Sequence, residues 1–522
     1  MSAKEFDASQ SRVTLPLALM DARDRSGGGK AILEDPERTP LTYDRLILGA
    51  LILGRKIDEA AGAGRRVGVL LPSVNGVVVT LFGLLWHGRV PVLLNFTSGI
   101  RNLRSACETA EIDLIVTSRR FIDTAKLDDV IAAIGQGRRV LYLEDVRKEI
   151  GLWDKISGLV RAKFARNIAR KAGADPDAPA VVLFTSGTEG VPKGVVLSHA
   201  NIVANARQIW QLADGMLTPE DVAFNPLPVF HSFGLTAGTL LGVLHGMKVV
   251  LYPSPLHYKQ VPRLVQETQA SLLFATDTFL VGYARAADEG ELASLRLVVT
   301  GAEKVKETTR ALWDGFGTTI LEGYGCTECS PVLACNLPSD NRAGTVGTLL
   351  PGVTARLDPV EGITDGAKLV VRGANVMLGY MMASAPGQIQ PPADGWYDTG
   401  DIVSMDADGF VTIKGRAKRF AKLGGEMVSL AAVETLASSL WPGATHVAVA
   451  LPDKKKGEQI VLVTDKPDAD RMALIAYAKA HGAPELFIPR AILVVGAIPV
   501  LGSGKIDYAG TTELVNTMRT LI

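Results

Sequence analysis

The stretch Phe184–His199, "FTSGTEGVPKGVVLSH", gathers residue types that suit an anion. Two glycines (Gly187, Gly190), three hydroxyls (Thr185, Ser186, Thr188) and Lys193 stand close together in it. Backbone N–H groups of a glycine-rich turn, helped by hydroxyls and an ammonium, can hold phosphate. The pattern is not a Walker A loop, because Pro192 precedes Lys193 and no Ser or Thr follows it. "GVVLSH" reads as a strand, so a strand–loop–strand hairpin is predicted, without a helix dipole to assist. Glu189 is the odd member, since a bare carboxylate beside a triphosphate is repelled. It can pair with Lys193 or another cation, or turn outward toward a second domain. Taken alone, the stretch fits a plain glycine-rich hairpin equally well.

Four further stretches come after it in order: "YGCTE" (Tyr324–Glu328), "GWYDTGD" (Gly395–Asp401), "GRAKRFAKLGGEMVS" (Gly415–Ser429) and "GSGKID" (Gly502–Asp507). Each mixes glycine with a hydroxyl, a carboxylate or a cation. Asp401 can be a turn aspartate or a bidentate acceptor for a ribose. Arg416 can be a surface ion pair or a phosphate contact. Lys505 can be a solvated lysine or a charge carried into a site on a glycine-rich loop.

The elements that must position these residues show in the hydrophobic pattern. "RVGVLL", "VPVLL" and "DLIVTS" read as short apolar strands with helices between them. A second run, "MKVVLY", "SLLFAT", "LRLVVT" and "TTILEG", repeats the plan. Such alternation predicts an α/β fold with doubly wound, mainly parallel sheets. Ligands of such sheets bind beyond the carboxyl ends of the strands. Those positions are Thr276, then Gly301-Ala302-Glu303, then Glu322-Gly323-Tyr324. After about Gly415 the pattern changes to a small α+β unit. The predicted domains are 1–417 and 418–522, the second a small unit of about a hundred residues.

Composition narrows the classes. Lys+Arg and Asp+Glu are 55 each, so the net charge is zero and a general nucleic-acid binder is disfavoured. The N-terminus is polar and lacks an apolar secretory core. The most apolar stretch, near Val67–Gly88, is broken by Pro72, Ser73, Asn75 and Gly76, so it reads as strand, turn and helix rather than a membrane span. A cytoplasmic protein is expected. The four cysteines do not form a disulfide framework, and Cys326-x-x-Cys329 lacks a partner pair to complete a zinc set.

The five ordered motifs resemble those of the acyl-adenylate-forming superfamily of acyl-CoA synthetases, luciferases and peptide-synthetase adenylation domains. The resemblance covers nearly the whole chain. Within it, "LYPSPLHY", "LEGYGCTECSPV" and "GRAKRFAK" are most similar to the synthetase half of a bacterial bifunctional acyltransferase/acyl-ACP synthetase. None of the seven histidines has an aspartate five residues on, so the acyltransferase activity of that second half is not expected.

The resemblance implies ATP and Mg²⁺ as cofactors. It places Thr185, Ser186, Gly187, Thr188, Glu189, Gly190 and Lys193 on the β- and γ-phosphates, Thr327 on a phosphate oxygen and Glu328 on Mg²⁺. Tyr324 would stack on adenine, with Gly301, Ala302, Glu303, Glu322 and Gly323 beside it. Asp401 would take the ribose hydroxyls, Arg416 the ribose or phosphate, and Lys505 the α-phosphate and the attacking carboxylate. Lys418 would be a hinge about which the small domain turns. Gly424-Gly425 would let backbone approach a pantetheine arm.

On the substrate side, amino-acid-activating relatives carry an aspartate where His231 follows Phe230 in "PVFHSFG". An α-amino acid is therefore disfavoured and a fatty acid expected, although a packed core histidine fits too. Thr276 joins that wall. Gly234, Gly238, Gly242 and Gly246 recur every four residues and would form a bare strip on a helix. Each interior glycine costs about 0.8–1 kcal/mol against alanine, so something must approach closely. Either another element packs there, or an acyl chain does.

The acceptor expected is acyl carrier protein, with CoA as the alternative thiol. Basic runs "RAKRFAK", "DKKKGE" and "VRAKFARNIARK" could dock an acidic carrier. The last, Val160–Lys171, could instead lie on the inner face of an anionic membrane. The rival of another class is a nucleotide-binding regulator without chemistry.

Overall fold

The computed structural model describes residues 5–171, 175–185, 191–423, 426–453, 457–500 and 506–520. The described chain divides into two compact units, the first formed by residues up to Ala343 with Gly347–Thr354 and Arg372–Tyr397. The second holds Gly344–Val346, Ala355–Val371 and the residues from Asp398 onward. Segments 355–371 and 398–417 thus pack with the C-terminal unit, ahead of the boundary drawn from the hydrophobic pattern.

Among the described residues, the first unit contains two large sheets. One runs Thr348–Leu349, Val332–Cys335, Thr319–Gly325, Leu297–Thr300, Leu272–Ala275, Val222–Asn225, Lys248–Leu251, Ala31–Glu34 and Leu41–Thr42 from edge to edge. Its interior pairings, from Ala31–Glu34 across to Thr319–Gly325, are parallel, and the outermost pairings on both sides are antiparallel. The other runs Ala385–Gln390, Gly379–Met382, Lys193–Ser198, Pro179–Thr185, Val90–Leu93, Arg66–Val69, Leu114–Thr117 and Arg139–Tyr142. Here the last five strands are parallel and the first four pair antiparallel. The parallel strands are almost wholly apolar because helices cover both faces. The α/β, mainly parallel architecture read from the sequence is the one observed.

The second unit has a four-stranded sheet, Thr354–Asp358, Ala367–Arg372, Tyr397–Met405 and Val411–Arg416, whose first, second and third strands each share one end residue with the first unit. Beyond it lies a sheet built on Gly457–Thr464, packed against the helices Leu430–Leu440, Arg471–Ala480 and Tyr508–Thr520. No helix among the described residues is long and apolar enough to cross a membrane.

One buried histidine ties the first unit's core to pH. His199 Nδ1 accepts the backbone N–H of Leu15 at 3.1 Å, satisfying the first turn of the helix Leu15–Ser26. Burial pushes its pKa down to about 4. The folded ring therefore resists a proton that the unfolded one accepts near pH 6.5. Its contribution is fully present above about pH 6.5 and is lost as pH falls toward 4. Urea unfolding at about pH 5 should show up to ~2 kcal/mol less stability from this residue than at neutral pH. A His199→Gln variant, whatever its absolute stability, should show a shallower loss between the two pH values. An equal loss in the variant would refute the assignment.

Candidate active site

The phosphate-loop stretch is the hairpin its sequence predicts. Pro179–Thr185 pairs antiparallel with Lys193–Ser198, and Thr185 faces Lys193 across the ladder. The positions Ser186 to Gly190, Glu189 among them, lie outside the described residues. What the hairpin does show is where its charged end is held. Tyr380, on the neighbouring strand Gly379–Met382, lies under the Lys193 ammonium, which is 5.3 Å from its ring centre.

The same tyrosine reaches the next motif. Tyr380 Oη donates to Glu328 Oε1 at 2.6 Å, and the phenol of Tyr397 is 3.4 Å from that of Tyr380. Burial first, and the neighbouring Glu328 carboxylate next, hold the Tyr380 phenol well above its ordinary pKa. Tyr397 is shifted the same way, again mainly by burial. Both remain donors at any working pH. A buried carboxylate that accepts from a permanent donor is fixed in orientation.

Glu328 and Thr327 sit in a single short turn, Thr327–Cys329, that is braced from behind. Asn375 Nδ2 donates to the Cys329 carbonyl at 2.9 Å, and Met377 N–H donates to the Glu328 carbonyl at 2.8 Å. Asn205 clasps the nearby Val332 through both its amide groups. Buried side-chain amides that satisfy backbone groups fix a loop more firmly than apolar packing does. On the front, Ser232 Oγ donates to Thr327 Oγ1 at 3.2 Å. A hydroxyl that accepts in this way keeps its own proton to give to an anion. Ser232 follows His231 directly, so this contact ties the His231 segment to the turn that carries Thr327 and Glu328.

At the carboxyl ends of the parallel strands, Thr276, expected on the substrate wall, precedes the helix Asp277–Ala286 as its cap residue and is buried. Gly301 lies against the ring of Phe233 and the carbonyl of Gly323, and Ala302 takes a left-handed backbone with φ of 69°. Glu303 does not offer its carboxylate freely: Oε2 accepts from Thr278 N–H at 3.1 Å and from its hydroxyl at 2.9 Å. Glu322 is buried in an ion pair with Arg310, and it also accepts from Val305 N–H at 3.4 Å. These two carboxylates position the turn after Thr300 through their side chains. Glu322-Gly323-Tyr324 is not a turn: the strand continues to Gly325 and exchanges its parallel partner for the antiparallel Val332–Cys335.

The glycine strip requires a correction. Phe233–Leu240 is a π-helix that passes into the α-helical turn Leu241–His245, with Gly246 as its left-handed cap at φ of 89°. A Cβ on Gly234 would strike the Pro228 carbonyl, and one on Gly242 would strike Val249. A Cβ on Gly238 would come 2.5 Å from the Asn225 side chain, and one on Gly246 would come 2.7 Å from Ser26 Oγ. The strip faces protein and not an acyl channel; of the two readings, close packing is the one observed. Asn225 explains the wide helix, since its amide and the Thr239 hydroxyl both bond the Gly234 carbonyl, at 2.9 and 2.7 Å. Gly238→Ala should lower stability by about 1–3 kcal/mol, as overpacking of a filled site does. Ligation of short and long acids should fall together with the folded fraction. A selective loss for long acids would restore the channel reading. A small apolar cavity does exist beside this helix, lined by Val77, Leu81, Leu93, Val229, Leu235 and Thr239 among others.

In the second unit, Asp401 is buried and Arg416 Nε pairs with its Oδ1 at 2.7 Å. The two are opposed across adjacent strands. The surface-pair alternative for Arg416 is thus observed, but its partner is the expected ribose carboxylate. Arg419, counted among the basic docking residues, is bound to Glu434 at 2.7 Å and stacks on Tyr508. Lys418 is exposed in the short turn Ala417–Arg419. Gly424-Gly425, the three lysines at 454–456 and Lys505 lie outside the described residues.

The match that decides the family is that of the AMP-binding enzyme model, over residues 21–381. The chain belongs to the AMP-binding enzyme family. It is 30% identical over 400 residues to the mitochondrial medium-chain acyl-CoA ligase ACSF2 of Mus musculus, a match covering 74% of this chain and 61% of that protein. The chain thus spans about three fifths of the length of this relative. It is 29% identical over 515 residues to a methyl-dioxo-octahydroindenyl-propanoyl:CoA ligase of Rhodococcus jostii, covering 94% and 97% of the two chains. A long-chain-fatty-acid–CoA ligase of Yersinia pestis is 27% identical, with 81% and 82% covered. In fold, the anthranilate CoA ligase AuaEII, solved with anthranoyl-AMP, superposes with a TM-score of 0.79 at 20% identity over 99% and 100% of the chains. A Mycobacterium tuberculosis fatty acyl CoA synthetase gives 0.73 at 20% identity, over 98% and 100%. This member of the AMP-binding family gathers Lys193, Thr327, Glu328 and Ser232 in one unit.

The donor set bears on the implied Mg²⁺. No group of three or more His, Cys, Asp or Glu among the described residues could hold a metal unaided. A single oriented carboxylate, Glu328, fits an ion that takes most of its ligands from phosphate and water. Tyr380, Tyr397, Asn205 and Asn375 were not singled out from the sequence. Tyr397 stands within "GWYDTGD" and Ser232 within "PVFHSFG", so their motifs were visible; the two asparagines carry no local signal.

Proposed function

We propose that the chain is an ATP-dependent ligase that activates a fatty acid as its acyl adenylate and passes the acyl group to CoA. The observation that carries the reading is the row Lys193, Tyr380, Glu328, Thr327 and Ser232, which aligns an ammonium, an oriented carboxylate and two hydroxyls. In the first step a carboxylate oxygen of the acid attacks the α-phosphorus of ATP and the bond to the β-phosphate oxygen breaks, releasing pyrophosphate. Charge builds on the leaving group, so catalysis rests on positioning and positive charge. Lys193 neutralises phosphate charge and Thr327 donates to it. Tyr380 holds Glu328 facing the metal position, and Mg²⁺ when bound would screen the triphosphate and draw charge from the leaving group. Thr185, Gly301 and Tyr324 of the first unit hold the rest of the nucleotide; Asp401, Arg416 and Lys505 carry the nucleotide roles that the resemblance implies. In the second step the thiol of CoA attacks the acyl carbon, the acyl–phosphate bond breaks, AMP leaves and the thiol proton goes to solvent.

A fatty acid is favoured because His231 follows Phe230 where amino-acid-activating relatives carry an aspartate to pair with the substrate amine. CoA is favoured over acyl carrier protein, the acceptor first expected, by two observations. The relatives from Mus musculus, Rhodococcus jostii and Yersinia pestis are CoA ligases. The basic runs offered to a carrier are partly consumed within the chain: Arg416 by Asp401, Arg419 by Glu434, and Arg166 by Asp21 and Asp24. The test supplies purified protein with labelled fatty acid, ATP, Mg²⁺ and either CoA or acyl carrier protein. Thioester on CoA is expected. Thioester on the carrier alone would return the acceptor to the first expectation. Absence of fatty-acid-dependent ATP–pyrophosphate exchange would sink the enzyme reading and leave the nucleotide-binding regulator.

A further inference from the structure

Six large apolar side chains are exposed within thirteen consecutive residues: Leu152 (71%), Trp153 (81%), Ile156, Leu159 (56%), Val160 and Phe164 (56%). Isolated exposed hydrophobics are ordinary, but a contiguous apolar patch marks an interaction surface. The first five lie on the helix Leu152–Lys163, and Phe164 follows its last residue. At 100° per residue the five span an arc of about 120°, the width of an amphipathic face.

The face does not await its own chain, because the back of the helix is already docked. Gly158 is buried so close to Ile52 and Leu48, on the helix Tyr43–Ala61, that a Cβ would strike Ile52. Asp154 is held by Arg55 and by Lys56 at 3.4 Å. Arg161 reaches the His87 ring at 3.2 Å. The apolar arc is a rigid outward ridge.

Its charge is one-sided. From Leu152 to Lys171 the only acid is Asp154, already paired, while Lys155, Lys163, Arg170 and Lys171 are exposed. Lys163 falls inside the apolar arc, where a long stem can lie on lipid with its ammonium at the headgroups. A tryptophan at one end, a phenylalanine at the other and basic residues along the margin make the composition of a helix that lies in a membrane interface. With twelve residues the helix is far too short to span.

We propose that Leu152–Phe164 seats the protein on an anionic lipid surface, with Trp153, Leu159 and Phe164 buried among the acyl chains and Lys155, Lys163, Arg170 and Lys171 at the phosphates. None of these residues is among those assigned to the nucleotide, and the inference holds whichever thiol accepts the acyl group. A protein partner would need a groove to take the ridge, and the positive margin would require that groove to be acidic. A fluid anionic bilayer meets both conditions without a matched shape.

The test is co-sedimentation of the full chain with vesicles of phosphatidylcholine alone or with about 30 mol % phosphatidylglycerol. Wild type should partition onto the anionic vesicles, less so in high salt. The double variant Trp153→Ser/Phe164→Ser should lose about tenfold or more of that partition. The variant should keep its thermal midpoint and its ATP–pyrophosphate exchange, since neither residue is placed in the site. Wild type remaining in the supernatant at low salt, or a variant that binds equally, would overturn the proposal. So would concentration-dependent self-association, or binding of purified acyl carrier protein, that the variant abolishes without any vesicle binding; either outcome would assign the ridge to a protein.

Discussion

Lys505→Ala is expected to slow acyl-adenylate formation by about 10²–10³-fold, the usual effect of removing one preorganised donor from a charged transition state. A lysine in "GSGKID" can bring a point charge between the incoming carboxylate and the α-phosphate, two anions that otherwise repel. The second step does not pass through that arrangement. Thioester formation from chemically prepared acyl adenylate should therefore proceed at close to the wild-type rate. The measurement is a pair of single-turnover assays, one from fatty acid and ATP, the other from acyl adenylate and CoA. Equal losses in both would mean that Lys505 supports the fold or the movement of its unit, and not the displacement.

The second large effect is expected at Glu328. Its carboxylate is buried, oriented by Tyr380 and carried on a turn that Asn375 pins from behind. Glu328→Gln keeps the shape and removes the charge. Adenylation should drop by about 10²-fold, and the Mg²⁺ concentration giving half-maximal rate should rise markedly. Tyr380→Phe provides the control that separates ligation from orientation. It leaves the charge but frees the carboxylate to turn, so the loss should be nearer tenfold, with a smaller change in Mg²⁺ dependence. If the Glu328→Gln variant retained the wild-type metal response, the carboxylate would have no metal to hold and Tyr380 would merely be capping a structural acid.

The sequence was most legible where one period dominates. "RVGVLL", "LRLVVT" and "TTILEG" became parallel strands because short, uniformly apolar runs between helices have few other ways to bury themselves. The hairpin at Pro179–Ser198 was readable from Pro192 and the β-branched residues after Lys193. The glycine strip was located but its neighbour was not, because spacing shows that a surface is bare and cannot show what covers it. Asn225, far from any motif, settles that point. The partners of Glu303 and Glu322 were hidden for a related reason: their carboxylates bond Thr278 and Arg310, which stand in none of the motifs. Tyr380 was invisible because its value comes from strand pairing between segments almost two hundred residues apart. The four-stranded sheet of the second unit, assembled from segments on either side of a first-unit excursion, has no local signature at all.

The π-helix after Ser232 makes this part of the chain a counted length. Each π turn takes up about one residue more than an α turn, and here the surplus lies between the Ser232–Thr327 contact and the cap at Gly246. Deleting one residue from Phe233–Leu240 would let the segment relax into an ordinary α-helix. Everything before the deletion would then rotate by roughly 100° relative to the residues after it. Ser232 would swing away from Thr327, and His231 would move with it, although neither side chain had been changed. The segment's length, as much as its side chains, is therefore part of the site.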